Sequence, residues 1–253
     1  MPRFFLKEAP QDGCKELTLT GDDAHHIAYS LRMKVGDDLV ASDFFGNEYK
    51  CKISAFTKDS VTLNVLDVSR CESEPRLKVR IFQALPKGDK LETVVQKATE
   101  IGASAFFPVL TSRCISRPDE KGGAKKVERL SRIAEEAAKQ SGRGIIPTVS
   151  PVCSFDAALE EMKKDTLSLM CYECEDKRSL RAVLAGNAGK LTENESASVS
   201  VFIGPEGGIS EAEAEKAREA GIVTVGLGKR ILRTETAPIF AVSAILFFSG
   251  DME

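Results

Sequence analysis

From Leu77 onward, short extended apolar runs alternate with stretches of helical periodicity, which confines this region to a largely parallel sheet covered by helices on both faces. Residues 77–85, 105–110, 167–171, 199–203 and 222–226 are the predicted strands. Apolar side chains at 91, 94, 95, 98 and 101 predict a helix over 89–101 that Gly102 closes, and residues 127–140 predict a longer one. Ser210-Glu-Ala-Glu213 is a capping box opening a helix that ends at Gly221. In an α/β sheet of this kind the ligand site lies beyond the carboxyl ends of the strands.

The first seventy residues carry a different pattern. Extended segments at 3–6, 17–20, 38–42, 49–56 and 60–68, separated by turn residues such as Phe45-Gly46-Asn47, predict a small β-barrel or sandwich. One helix interrupts them, predicted from an Asp22 N-cap to Met33, with Ile27, Leu31 and Ala28 inward and Gly36 as its stop. The polar stretch 69–75 is the predicted linker, so the chain divides into domains at 1–70 and 76–253.

At 42% hydrophobic and 29% charged, the 253-residue chain has the composition of a soluble globular protein. Its longest apolar stretch, 237–248, is shorter than the roughly 20 residues a membrane span requires, and MPRFFLKEAP lacks the pattern of a secretory leader. The expected location is the cytoplasm. Seven cysteines, an odd number, are expected to be reduced thiols. Neither the Cys171/Cys174 pair nor the adjacent His25 and His26 has further ligands at matching spacing, so no metal is expected.

The net charge of −3 hides a division, because residues 76–143 hold 15 Lys and Arg against 8 Asp and Glu. Such a block is either a polyanion footprint, through Arg113, Arg117, Lys121, Lys125, Lys126, Arg129, Arg132, Lys139 and Arg143, or a solvated helix face.

Two loops beyond predicted strands are chemically unusual. Gly204-Pro-Glu-Gly-Gly208 joins a strand to the capped helix, and Gly226 to Ala237 joins another strand to the terminal helix. Glycines there let main-chain N–H groups approach a ligand. The second loop lacks the third glycine of a dinucleotide fingerprint, and no Walker sequence occurs, which argues against NAD and ATP.

IGPEGGIS at 203–210 and LGKRILRTETA at 227–237 resemble the signature of the RsmE family, bacterial methyltransferases acting on N3 of a uridine in 16S rRNA. RFF at 3–5, HHIAYSLRMKVGD at 25–37, KGDKLETVVQKATEIG at 87–102, SRC at 112–114 and ERLSRIAEEAAKQSGR at 128–143 extend the resemblance over nearly the whole chain. It implies a PUA-like β-barrel domain followed by a SPOUT-type domain, an α/β parallel sheet with a trefoil knot. It also implies S-adenosylmethionine as methyl donor, a homodimer, and 16S rRNA within the small ribosomal subunit as partner, with no membrane and no metal.

By the same resemblance the donor is expected to be held by Tyr172, Glu173, Ile203, Gly204, Pro205, Glu206, Gly207, Gly208, Leu227, Gly228, Ile231, Leu232, Thr236 and Ala237. Uridine N3 is neutral and protonated, so the reaction needs a stabilised anion and a proton acceptor. Arg233 is the expected electrostatic group, Glu235 the acceptor or donor-orienting group, and Arg143 a further candidate cation. The alternative for Arg233 and Glu235 is a structural ion pair with helix capping. Arg3, Arg32, Lys34, Lys87, Lys97, Arg113, Lys125, Lys126, Arg129 and Gln140 are expected to contact RNA, and Glu100 to contact RNA or shape the pocket. An RNA-binding factor that performs no transfer, or a methyltransferase acting on another base or on transfer RNA, would share much of this pattern.

Overall fold

The computed structural model describes residues 1–11 and 13–252 and divides into two compact units. The first comprises Met1–Glu74 together with Ala138–Ile146. Its strands are β1 (Arg3–Phe5), β2 (Glu16–Thr20), β3 (Asp38–Ser42), β4 (Asn47–Phe56) and β5 (Ser60–Arg70), ordered β1-β3-β4-β5-β2 in one sheet. Only β1 and β3 pair in parallel. Register shifts between Lys50 and Cys51 and between Ile53 and Ala55 curl the long β4–β5 pair around an apolar core that includes Phe4, Leu19, Ile27, Leu39, Ile53 and Leu63.

The helix predicted from Asp22 to Met33 is shorter. It comprises α1 (Asp22–His25) and a π-helical turn, His26–Ser30, and Arg32, at φ 52°, ends the pattern. Leu31 therefore leaves the inward stripe and is 40% exposed, while Ile27 is fully buried. The polar stretch 69–75 is not free chain either. β5 runs through Arg70, and the Glu74 carboxylate accepts from the Arg143 guanidinium (2.8 and 3.2 Å) and from Gly144 N and Ile145 N (2.9 and 3.0 Å).

The second unit comprises Pro75–Ala137 and the chain from Pro147 onward. Strands β6 (Lys78–Ala84), β7 (Ala105–Leu110), β8 (Thr148–Val149), β9 (Cys153–Ser154), β10 (Leu167–Cys171), β11 (Ser198–Ile203) and β12 (Val223–Val225) form a wholly parallel sheet in the order β12-β10-β11-β6-β7-β8, with β9 also on β7. The helices are α2 (Lys90–Ile101), α3 (Glu120–Ser141, whose residues from Ala138 onward belong to the first unit), α4 (Phe155–Met162), α5 (Leu180–Gly186), α6 (Ala188–Thr192), α7 (Glu211–Glu219) and α8 (Thr236–Ser249).

α3 begins seven residues before its predicted start, because Asp119 accepts from Gly122 N (2.8 Å) and offsets the poor helix propensity of Gly122 and Gly123. α4 and α5 were not predicted. Each is capped by a serine, Ser154 accepting from Ala157 N and Ser179 from Ala182 N. The Ser210/Glu213 capping box at α7 forms in full. Among the described residues no helix is long and apolar enough to cross a membrane.

Candidate active site

β12, β10 and β11 are neighbours and run parallel, so the segments leaving their carboxyl ends emerge side by side. They enclose a cavity of about 610 Å³. Tyr172, Glu173 and Glu175 follow β10; Gly204 to Gly208 follow β11; Gly226 to Glu235, with Ala237, follow β12. Two glycines are required by this convergence. A Cβ at Gly226 would overlap the Glu175 carbonyl oxygen, and Gly208 adopts φ +69° where a Cβ would overlap the Glu173 carboxylate.

The loop after β11 is braced by polar contacts to Lys87, Lys90 and Arg113. Glu206 accepts from Lys87 N (3.0 Å) and Lys90 Nζ (2.6 Å), and Arg113 donates to the carbonyls of Gly207 (2.9 Å) and Ile209 (3.3 Å). Burial opposes ionisation of Glu206, but the Lys90 ammonium and the backbone N–H donors outweigh it and hold the carboxyl below its ordinary range. Glu173 accepts from Ile209 N at 3.2 Å, joining the first loop to the second. Burial pushes the Cys171 thiol up to about 12, so at neutral pH it is a small apolar wall. Burial and then the neighbouring Cys174 raise the Tyr172 phenol, and the Arg218 guanidinium lies 5.7 Å from its ring centre.

The residues expected to hold a donor line this cavity, all except Thr236, which opens α8 outside it. Arg233 and Glu235 line it too. They form no ion pair with one another among the described residues, and Glu235 makes no side-chain cap on α8. The Arg233 carbonyl accepts from Thr236 N and Ala237 N, which ties this segment to the first turn of α8, while its guanidinium stays exposed. Glu235 Oε2 is buried without a partner among the described residues. A carboxylate oxygen so placed is open to a proton or to a cationic ligand.

Arg143 is not among the residues that line this cavity. It is 3% exposed, belongs to the first unit, and its guanidinium donates to Glu74. The cations that do line it are Lys90, Lys229, Arg230 and Arg233. Lys229 and Arg230 escaped sequence reasoning because a charged run in a loop looks like ordinary solvated surface. Glu175 escaped it because its task, accepting from Thr224 Oγ1 at 2.7 Å, is long-range.

Among the candidate RNA contacts, Arg3 is engaged by Glu48 (2.6 Å) and Ser42 (3.0 Å), and Arg113 by the loop carbonyls. Lys97 pairs with Glu100 and Arg129 with Glu92. Arg32, Lys34, Lys87, Lys125 and Gln140 are exposed, and Lys126 is half-exposed. Lys125 and Lys126 carry no ion pair among the described residues, which separates them from Arg129, Arg132 and Lys139 in the same helix.

Residues 72–246 match the RNA methyltransferase domain family and residues 19–66 the RNA methyltransferase PUA domain family. The chain is 39% identical over 249 residues to ribosomal RNA small subunit methyltransferase E of Bacillus subtilis, covering 98% of this chain and 96% of that one. Its structure resembles the Neisseria gonorrhoeae ribosomal RNA small subunit methyltransferase E bound to S-adenosyl methionine, at TM-score 0.84 and 31% identity over 98% and 97% of the two chains. A putative methyltransferase of Legionella pneumophila, also with bound cofactor, is similar at TM-score 0.82 and 28% identity over 97% and 96%.

Proposed function

The chain belongs to the RsmE family of ribosomal RNA small subunit methyltransferases, and from that premise we propose that it transfers the methyl group of S-adenosylmethionine to N3 of a uridine in 16S rRNA of the small ribosomal subunit. The observation that carries the reading is the convergence of three adjacent post-strand segments, with five glycines among them, on one cavity. Its residues suit the donor. A volume of about 610 Å³ is in the range of small-ligand sites, with Ile203, Leu227 and Leu232 available to an aromatic base, glycine backbone to polar edges, and Glu173 and Glu235 to positive charge. When bound, the cofactor supplies a methyl group made electrophilic by a sulfonium.

The remaining chemistry belongs to the protein. Arg233, exposed, lining the cavity and without an ion pair among the described residues, offsets the negative charge that spreads onto the uracil carbonyls as N3 loses its proton. Glu235 Oε2 accepts that proton. The reading includes residues 1–70 as an RNA-binding PUA-like domain, residues 76–253 as the catalytic domain with its trefoil knot, a cytoplasmic location and a homodimer.

A thermal-shift titration is expected to show melting temperature rising with S-adenosylmethionine or S-adenosylhomocysteine. Small subunits from a strain lacking the activity, incubated with labelled donor, are expected to yield 3-methyluridine in 16S rRNA. Any other methylated nucleoside would replace the substrate assignment. No thermal shift at saturating donor would remove the cofactor assignment.

The unpaired charges on α3 set the RNA experiment. Lys125→Glu with Lys126→Glu is expected to weaken RNA binding at low salt and reduce the slope of log affinity against log salt by about 2. Adding Arg129→Glu is expected to weaken binding further, because it turns the Arg129–Glu92 pair into two neighbouring carboxylates. Unchanged binding in the double variant would return α3 to a solvated face.

Homodimerisation is supported by α8, where Phe240 (45% exposed) and Phe247 (69%) lie seven residues apart on one helical face. Light scattering is expected to report twice the chain mass for the wild type and the single mass for Phe240→Asp with Phe247→Asp. A monomeric wild type would exclude the dimer.

A further inference from the structure

Gln83 lies near the carboxyl end of β6, a strand that contributes no residue to the cavity wall, and it is 1% exposed. Its amide has one tenable orientation. Nε2 donates to Ala84 O (3.1 Å), Gly204 O (3.3 Å) and Thr234 Oγ1 (3.0 Å), and reversing the amide would set an oxygen against two carbonyl oxygens. The retained orientation leaves Oε1 buried without a partner among the described residues. Three acceptors thus share the two N–H protons of Nε2, while a buried acceptor is left unmet.

Thr234, 7% exposed, accepts from this amide and donates its hydroxyl proton to Gly204 O at 2.7 Å. A directed chain of hydrogen bonds therefore runs from Gln83 through Thr234 to Gly204. Gly204 has no side chain, so the loop after β11 can be held there only through backbone groups, here the carbonyl. The grip comes from Thr234, which sits between Arg233 and Glu235 in the loop after β12. β6 and β11 are paired at Gln83 and Ile203, so the anchor belongs to the most central part of the sheet.

We propose that Gln83 and Thr234 are positioning residues, a buried amide–hydroxyl relay that clamps the loop after β12 onto the Gly204 carbonyl and thereby sets Arg233 and Glu235 against the methyl donor. The inference rests on the reading of this cavity as the donor site. Gln83 does not line the cavity, and the Thr234 hydroxyl is committed to the Gly204 carbonyl. Their effect comes through alignment, where a displacement of about 1 Å costs roughly 10²-fold in rate.

The test compares Thr234→Val, which keeps the shape and removes the hydroxyl, with Thr234→Ser, which restores it, and with Gln83→Leu and the Gln83→Leu/Thr234→Val double variant. Single-turnover methyl transfer on small subunits is measured at saturating donor, with donor affinity by calorimetry, below the melting temperature of each variant. Thr234→Val is expected to lose tenfold or more in single-turnover rate with a smaller change in donor affinity, and Thr234→Ser to recover most of the loss. The double variant is expected to be no slower than the slower single variant, as for two members of one relay. Thr234→Val with a lowered melting temperature but wild-type rate would overturn the proposal, as would losses that multiply in the double variant. Should Gln83→Leu not fold, Thr234→Val against Thr234→Ser decides alone. A wild-type protein that neither binds the donor nor transfers methyl would instead overturn the underlying reading of the site.

Discussion

Arg233→Ala is expected to reduce methyl transfer by about 10²-fold or more while changing donor affinity far less, because the guanidinium is needed where charge develops and not where the donor is already bound. The structure sharpens this expectation in two ways. Arg233 lines the cavity without an ion pair among the described residues, so its removal breaks no internal partnership and leaves no carboxylate uncompensated. Its backbone carbonyl caps α8 through Thr236 N and Ala237 N, contacts that an alanine retains, so folding is preserved. Single-turnover kinetics at saturating donor, beside calorimetric donor titration, is the measurement. A rate within threefold of wild type would remove Arg233 from the electrostatic role and leave alignment by the backbone loops as the source of rate.

Glu235→Gln is expected to slow transfer at neutral pH by about 10²-fold, the lower range for a lost general base, and to recover as pH rises. The direction follows from the substrate. Uridine N3 reacts as its conjugate base, so a variant without an internal acceptor depends on solvent base, whose supply grows with pH. The ratio of wild-type to variant rate should therefore shrink between about pH 7 and about pH 9. Glu235 Oε2, buried and without a partner among the described residues, is the reason to expect a large effect, since a carboxylate oxygen already held by protein donors would be a weaker acceptor. A pH-independent ratio would assign Glu235 to orienting the donor and not to proton removal.

Much of this architecture was legible before any coordinates. The alternation after Leu77 foretold a parallel sheet, and the predicted strands at 105–110 and 167–171 coincide with β7 and β10. The Ser210/Glu213 box marked the start of α7 because capping is a local hydrogen-bond pattern written in four residues. Less legible were α4 and α5, whose only signals are serine caps on short helices. The π-helical turn after His25 has no local signal either, since the helical periodicity of the sequence continues through Arg32, where the backbone turns left-handed.

The glycine-rich loops, the basic central block and the residues from Ile203 to Gly208 and Leu227 to Ala237 were determined by the sequence, because each is a property of contiguous chain. Which charges remain free was decided only by the tertiary structure. Arg143, Arg3 and Arg129 look like Lys125 in a count of cations, yet Glu74, Glu48 and Glu92 claim them from positions 69, 45 and 37 residues away. The same holds for Gln83 and Thr234, which are 151 residues apart and meet only because β6 lies beside β11 and the loop after β12 returns over that edge. Local patterns specify helices, caps and loops through bonds between near neighbours. Pairing of charges and the clamping of one loop by another depend on distances that the chain acquires only once its strands are in order.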